Sequence, residues 1–298
     1  MELVKKIDIH AHVLSSRGFT RPNGTTYVLP DELLEMYEKI GVEKALLLPL
    51  LKIEQSFDLN NNREIRDVAA KYPDRFYWFC GVDPRQLENN ENSDFSEMLK
   101  YYKSIGAKGI GELQANIYFD DPRTLNLFKY CEEYDMPVTF HIGSVKGDYG
   151  LIDDFGLPRL EKVLASFPKL MLLGHSQRFW SHISGDVTDL TYHGWPKGPV
   201  TPGGRVVELM RKYPNLCGDL SAGSGYGAIS RDPEFGYAFL EEFQDRLYYG
   251  TDICSPANIS HPMLKLASFL DDGVKNGKLS YGAYYKISRG NALKLLER

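Results

Sequence analysis

The fold this sequence predicts is a (β/α)8 TIM barrel, an α/β architecture formed as one domain over residues 1–298. Three observations carry that expectation. Eight short β-like runs alternate with helical patterns, three helix-to-strand turns share one proline signature, and loop length is concentrated after strands rather than after helices. An open doubly wound sheet uses the same units, but eight alternations favour a closed parallel barrel.

The strand segments are VKKIDIH, EKALLLPL, RFYWFCGV, AKGIGEL, MPVTFHI, KLMLLGHS, NLCGDLS and RLYYGTDI. Between them lie helical patterns such as DPRTLNLFKYCEEY. There Asp121 is placed to cap, Pro122 suits the first helical position, and Leu125, Phe128 and Cys131 share a face. In KYPDRFYWF, SFPKLMLL and KYPNLCGDL the proline disfavours α conformation in the residue before it, so Tyr72, Phe167 and Tyr213 mark helix ends. A strand follows each almost at once. The opposite connections are long: VLSSRGFTRPNGTTYVLP follows the first strand and QRFWSHISGDVTDLTYHGWPKGPVTPGG the sixth. Loops beyond about 12–15 residues usually carry function or lack order, and such barrels build active sites from strand-to-helix loops. NNRE, ENNENSD and AGSGYG read as loop pieces, and no Gly/Ser-rich linker divides the chain.

Composition excludes several function classes. With 43% hydrophobic and 25% charged residues the chain reads as a water-soluble globular protein, and its net charge of −5 provides no general field for a polyanion. Nucleic acid is therefore not expected as a partner; a small molecule is, and self-association into an oligomer is compatible with this composition. MELVKKIDIHAH enters the first strand without the apolar region of a signal peptide, and nowhere do about 18 apolar residues run together. The expectation is a cytoplasmic protein without a membrane segment. Cys80, Cys131, Cys217 and Cys254 form no CxxC pair and read as reduced thiols.

The chemistry begins at IDIHAH, where the period of a strand points His10 and His12 to the same side. Glu112 in GIGEL, His141 in TFHIG, His175 in LGHS and Asp252 in GTDI also lie at the C-terminal ends of strands. Parallel strands bring all six to one rim. Imidazoles and carboxylates in that number suit a divalent ion, zinc first and manganese second. Each residue alone has an ordinary structural role: a hydrogen-bonded histidine, Glu112 paired with Lys108, Asp252 capping the next segment. Their joint placement favours one metal site over six separate roles.

IDIHAH, GIGEL, FHIG, LGHS and GTDI, in this order over essentially the whole chain, resemble the metal-dependent amidohydrolase superfamily and more closely its amidohydrolase-2 group. ISRGNALKLL resembles that group's closing helix. The resemblance implies a metal held by His10, His12 and Asp252, with His141 at or beside it. TatD-type hydrolases share the Gly-Glu pair of the fourth strand. By that analogy Glu112 bridges to a second ion held by His141 and His175, whereas many amidohydrolase-2 members operate with one. The implied reaction is hydrolysis of a carbonyl, ester, lactone or amide bond in a small substrate, the ion acidifying a water and polarising the substrate oxygen. Asp252 would move the proton to the leaving group, and with a single ion His175 would serve as general acid or substrate polariser.

The alternative within the same group is non-oxidative decarboxylation of an aromatic or muconate-like acid. Trp180, Tyr192 and Trp195 would suit a planar acid, although lid packing accounts for them more simply. A phosphodiesterase or DNase ranks lower because of the acidic balance, as does a non-catalytic metal-binding protein, since a purely structural zinc normally has a closed ligand shell. Arg178, just beyond His175, opens the longest loop. Its planar fork would hold a substrate carboxylate, making the substrate acidic, or would pair with Asp186 or Asp189 to fix the loop.

Overall fold

The computed structural model describes residues 2–54, 58, 60–144 and 148–298. All eight expected segments form parallel strands: β1 (Lys6–Ala11), β2 (Val42–Leu47), β3 (Phe76–Trp78), β4 (Ile110–Leu113), β5 (Val138–Gly143), β7 (Leu172–His175), β8 (Leu216–Asp219) and β9 (Leu247–Tyr248). A two-residue strand, β6 (Leu151–Ile152), adds to β5 from the loop beyond it. The hydrogen-bonded orders are β1-β2-β3 and β4-β5-β7-β8-β9. Single parallel bridges join the two groups, Cys80 to Ile110 on one side and Ala11 to Ile253 on the other. The ring therefore closes in strand order, as a (β/α)8 barrel requires.

Helices α1 (Pro30–Ile40), α2 (Asn62–Lys71), α3 (Ser96–Ser104), α4 (Pro122–Glu133), α5 (Pro158–Ser166), α6 (Gln177–Ser181), α7 (Arg205–Lys212), α8 (Ala222–Ser230), α9 (Pro233–Glu242), α10 (Lys265–Lys275), α11 (Tyr281–Tyr285) and α12 (Asn291–Leu296) surround the strands. Asp121 caps α4 by accepting from the backbone N–H of Arg123, with Pro122 leading the helix. Tyr72, Phe167 and Tyr213 cap the C-terminal ends of α2, α5 and α7, as the proline signature predicts. No helix among the described residues is long and apolar enough to cross a membrane.

Two apolar layers arise from strand alternation. Ala45, Leu47, Trp78, Val138, Phe140, Leu172, Leu216 and Leu247 face the helices. Their neighbours Leu46, Leu48, Phe79, Leu173, Cys217 and Tyr248 pack inside the ring with Ile7 and Ile9. Ala292, Leu295 and Leu296 of α12 join this inner cluster and plug the end of the barrel away from the rim. Burial of each such leucine stabilises the fold by about 1.5–3 kcal/mol.

Strict alternation would turn Ile7 and Ile9 to one face of β1 and His10 and His12 to the other. The strand avoids this with an irregularity: Asp8 pairs with Ala45 but Ala11 with Leu47, so three steps on β1 oppose two on β2. The extra residue reverses the facing of the positions beyond it, and both the isoleucines and the histidines point inward. β4 repeats the device, with Ile110 opposite Val138 and Leu113 opposite Phe140. Glu112 is thereby aimed at the barrel axis.

Candidate active site

The six rim residues expected from strand ends converge. His10 Nε2 lies 3.1 Å from His12 Nε2. Glu112 Oε2 is 3.7 Å from both nitrogens. Asp252 Oδ1 stands 3.7 Å from His10 Nε2 and 3.5 Å from His12 Nε2. On the other side of the same carboxylate, Glu112 Oε1 is 2.5 Å from His141 Nδ1 and 3.6 Å from His175 Nε2. Glu112 thus turns one oxygen toward each of two donor groups.

The hydrogen bonds behind the imidazoles determine what the inner nitrogens can be. His12 Nδ1 is 2.9 Å from the Leu48 carbonyl oxygen, which only accepts, so Nδ1 carries the proton and Nε2 a lone pair. His10 Nδ1 is 2.6 Å from the Asp219 carboxylate, which places its proton likewise on Nδ1. Two lone pairs then face each other inside the barrel, flanked by two carboxylates. Positive charge must lie between them. Burial by itself disfavours a charged His10, yet the charge and hydrogen bond of Asp219, the hydrogen bond of Glu112 and the charge of Asp252 together outweigh it, and the imidazole's affinity for a proton rises well above its ordinary value. A divalent ion meets the same demand: zinc ligands at about 2.0–2.2 Å stand about 3.4 Å apart in a tetrahedron, and the donor separations here bracket that spacing. The residues fit the metal.

The carboxylates are held as anions. Burial pushes the Glu112 carboxyl up, but the charge of His141 and hydrogen bonds with His10 and His141 outweigh it and keep it well below the usual range. For Asp252, burial is again opposed, by His12 and His10, with a net downward displacement. Asp252 lies just after β9 with φ of 59°, a left-handed conformation that aspartate tolerates better than most residues. Its backbone N–H donates to His10 O at 2.8 Å, fixing the turn against β1. Asp252 also keeps 28% of its side chain open where Glu112 keeps 3%.

Support comes from residues that alternation hides. Asp8 faces away from the axis and accepts from Tyr37 Oη at 2.6 Å, Thr251 Oγ1 at 2.5 Å, and the backbone N–H groups of Thr251 and His10 at 2.9 Å. Burial pushes its carboxyl up to about 6 despite those donors. The four bonds tie β1, α1 and the segment carrying Asp252 into one unit.

Above the metal donors is a cavity of about 130 Å³ lined by His12, Glu112, His141, His175 and Asp252 and by Arg21, Tyr27, Leu50, Lys52, Gln114, Tyr149 and Cys254. Gln114 Nε2 donates to Glu112 Oε2 at 2.5 Å, and its own carbonyl oxygen is buried without a partner among the described residues. The amidohydrolase family model (Amidohydro_2) matches residues 7–298. The chain belongs to the amidohydrolase family.

It is accordingly an enzyme of the amidohydrolase superfamily. No curated protein matches the chain. Solved structures similar in fold include an uncharacterised TIM-barrel protein from Bordetella bronchiseptica, 18% identical with a TM-score of 0.64 and 99% of each chain covered. A dihydroxybenzoic acid decarboxylase from Polaromonas, with bound manganese and 2-nitroresorcinol, is 17% identical with a TM-score of 0.58, covering 99% of this chain and 97% of that one. A probable 2-pyrone-4,6-dicarboxylic acid hydrolase from Acinetobacter baumannii, with citric acid bound, is 15% identical with a TM-score of 0.57, covering 99% and 100%. At these identities the likeness is one of fold.

Within this amidohydrolase, Arg178 does not line the cavity. Its Nη1 donates to Asp148 at 2.8 Å and its Nε faces His193 Nδ1 at 3.2 Å, so its ion-pair partner is Asp148 rather than Asp186 or Asp189. Lys108 turns away from Glu112 and donates to Arg298 O at 3.2 Å. Trp180 is buried and donates to Asp219 O at 2.9 Å, Tyr192 packs on His182 and Phe155, and Trp195 is exposed; none of the three touches the cavity. The four cysteines are unpaired, three buried and Cys254 half-buried at the cavity wall. Sequence reasoning missed Asp219, Arg21, Lys52, Gln114 and Tyr149. Asp219 ends a strand like the others and could have been found by the same rule; the rest lie in loops whose convergence no local pattern reveals.

Proposed function

We propose that this single-domain amidohydrolase hydrolyses a carbonyl, ester, lactone or amide bond of a small molecule, using a divalent ion held at the rim. The observation that carries the reading is the pair of lone-pair nitrogens of His10 and His12, 3.1 Å apart and flanked by Glu112 and Asp252 beneath an open cavity. When bound, the ion, zinc in preference to manganese, supplies an acidified water and polarises the substrate oxygen. His10, His12, Asp252 and Glu112 would hold one ion; in a two-ion form His141 and His175 would hold the other, with Glu112 serving both.

Asp252 is the proton carrier: its partly open carboxylate accepts a proton at the cavity floor and returns it to the leaving group. His175 is oriented by Ser221 Oγ, 3.0 Å from its Nδ1, so its Nε2 faces the cavity side of Glu112. With one ion bound, that nitrogen donates a proton to, or polarises, the substrate. The cavity is small beside ordinary ligand pockets of about 300–1,000 Å³, which supports a small substrate. Decarboxylation of an aromatic or muconate-like acid is the second reading, favoured by the cationic Arg21 and Lys52 in the same wall.

The deciding experiment is a screen of the metal-loaded protein against lactones, esters, amides and aromatic acids, with metal content measured in parallel and Asp252→Asn as control. Turnover of a lactone, ester or amide that is lost in the variant supports hydrolysis. Release of carbon dioxide from an acid without any hydrolysis puts decarboxylation first, and full metal loading without turnover on any class refutes both.

A further inference from the structure

We propose that Arg21 and Lys52 form a carboxylate-binding pair at the mouth of the metal cavity, so that the substrate is a small acid whose carboxylate lies remote from the bond that reacts. The inference rests on the cavity being the substrate site of the hydrolase just described.

Arg21 comes from the loop after β1 and Lys52 from the loop after β2, and both line the cavity. Lys52 forms no ion pair among the described residues; its ammonium stands 3.3 Å from the centroid of the Tyr149 ring. Burial lowers its affinity for a proton, and the carboxylates of Glu112 and Asp252 oppose that only in part. Even a half-buried lysine without an ion-pair partner is uncommon, because desolvating an ammonium is costly. Arg21 stacks its guanidinium 4.4 Å over the Tyr27 ring and reaches Thr26 O at 3.4 Å and Cys254 Sγ at 4.0 Å, while its Nε is buried without a partner among the described residues. Other arginines of the same face are neutralised: Arg17 by Glu32, Arg85 by Glu54 and Asp83, Arg178 by Asp148. Both aromatic rings keep these cations extended toward the cavity rather than toward solvent.

Charge balance points the same way. Among the described residues no hydrogen bond or ion pair joins Arg21 or Lys52 to Glu112 or Asp252, the two carboxylates of the cavity. One divalent ion already neutralises that pair. The two cations remain as surplus positive charge over a small cavity, and a second ion would only increase it. An anion entering with the substrate is what removes the excess, and a carboxylate matches the fork of Arg21 with the point charge of Lys52 alongside.

Malonate, succinate and glutarate serve as probes, each titrated calorimetrically into the metal-loaded protein beside its half methyl ester. One carboxylate stands in for the reacting carbonyl and the other tests the clamp. The expected result is that at least one diacid binds about 10- to 100-fold more tightly than its half ester. Lys52→Met and Arg21→Gln should each erase most of that preference, Lys52→Arg should retain part of it, and all should keep the metal content and circular dichroism of the parent. Equal binding of diacid and half ester, no binding of any diacid, or a preference that survives both Lys52→Met and Arg21→Gln would overturn the proposal. Failure of the hydrolase reading is seen separately, as full metal loading without turnover of any lactone, ester or amide.

Discussion

Replacing Asp219 by asparagine tests whether the metal site is shaped from behind. Asp219 Oδ2 serves His10 Nδ1 at 2.6 Å and His175 Nδ1 at 3.4 Å, while Oδ1 accepts from the Ser221 backbone N–H at 3.0 Å. In Asp219→Asn the amide oxygen can satisfy only one of these directions. If it stays on Ser221, the new NH2 group faces His10 and forces its proton from Nδ1 to Nε2, where it points at His12 and removes a metal-binding lone pair. If it turns toward His10, two buried donors oppose each other at Ser221, at a cost of about 1–3 kcal/mol. Loss of such a supporting partner lowers metal affinity about 10- to 100-fold, equivalent to about 1.4–2.7 kcal/mol. The assay is competition for zinc between a chromophoric chelator and chelator-stripped protein, with circular dichroism as the control for folding. Zinc affinity within about twofold of the parent in a folded variant would refute the assignment of Asp219 to His10 orientation.

Three further outcomes are expected. His10→Ala combined with His12→Ala should remove most bound metal and leave a folded barrel, since the inner apolar cluster lies below the rim; elemental analysis of protein prepared without chelator checks it, and full occupancy would dismiss the site. Glu112→Gln should remove about one ion per chain by plasma mass spectrometry, because each oxygen serves a different donor group; unchanged stoichiometry would return Glu112 to a supporting role. Arg178→Lys should reduce kcat/KM alike for acidic and neutral substrates, because the guanidinium holds Asp148 beside Tyr149 rather than the cavity. A loss confined to acids would return Arg178 to the substrate.

The sequence alone determined the eight strands of the barrel, the helix ends at Tyr72, Phe167 and Tyr213, and the six residues of the rim. These are consequences of local rules. Alternation and proline sterics act within a few residues, and parallel strands in a ring necessarily present their C-terminal ends together. Local rules reach their limit in β1: strict alternation would set Ile7 and Ile9 against His10 and His12, and only pairing with β2 introduces the extra residue that turns both sets inward. The same holds for Glu112 in β4.

Tertiary structure decided the partners. His10 is oriented by Asp219, far along the chain, and Asp8 joins β1 to Tyr37 and Thr251 through bonds that no segment contains by itself. Arg178 carries the right chemistry for an anion clamp in the right loop, yet Asp148 from a different loop claims it. Arg21 and Lys52, without any motif around them, are brought to the cavity by loops from two adjacent strands. Residue type and strand position specify which groups can bind a metal or an anion; whether a given charge faces the cavity or a neutralising neighbour depends on distances between loops remote in sequence, and those distances exist only once the barrel has closed.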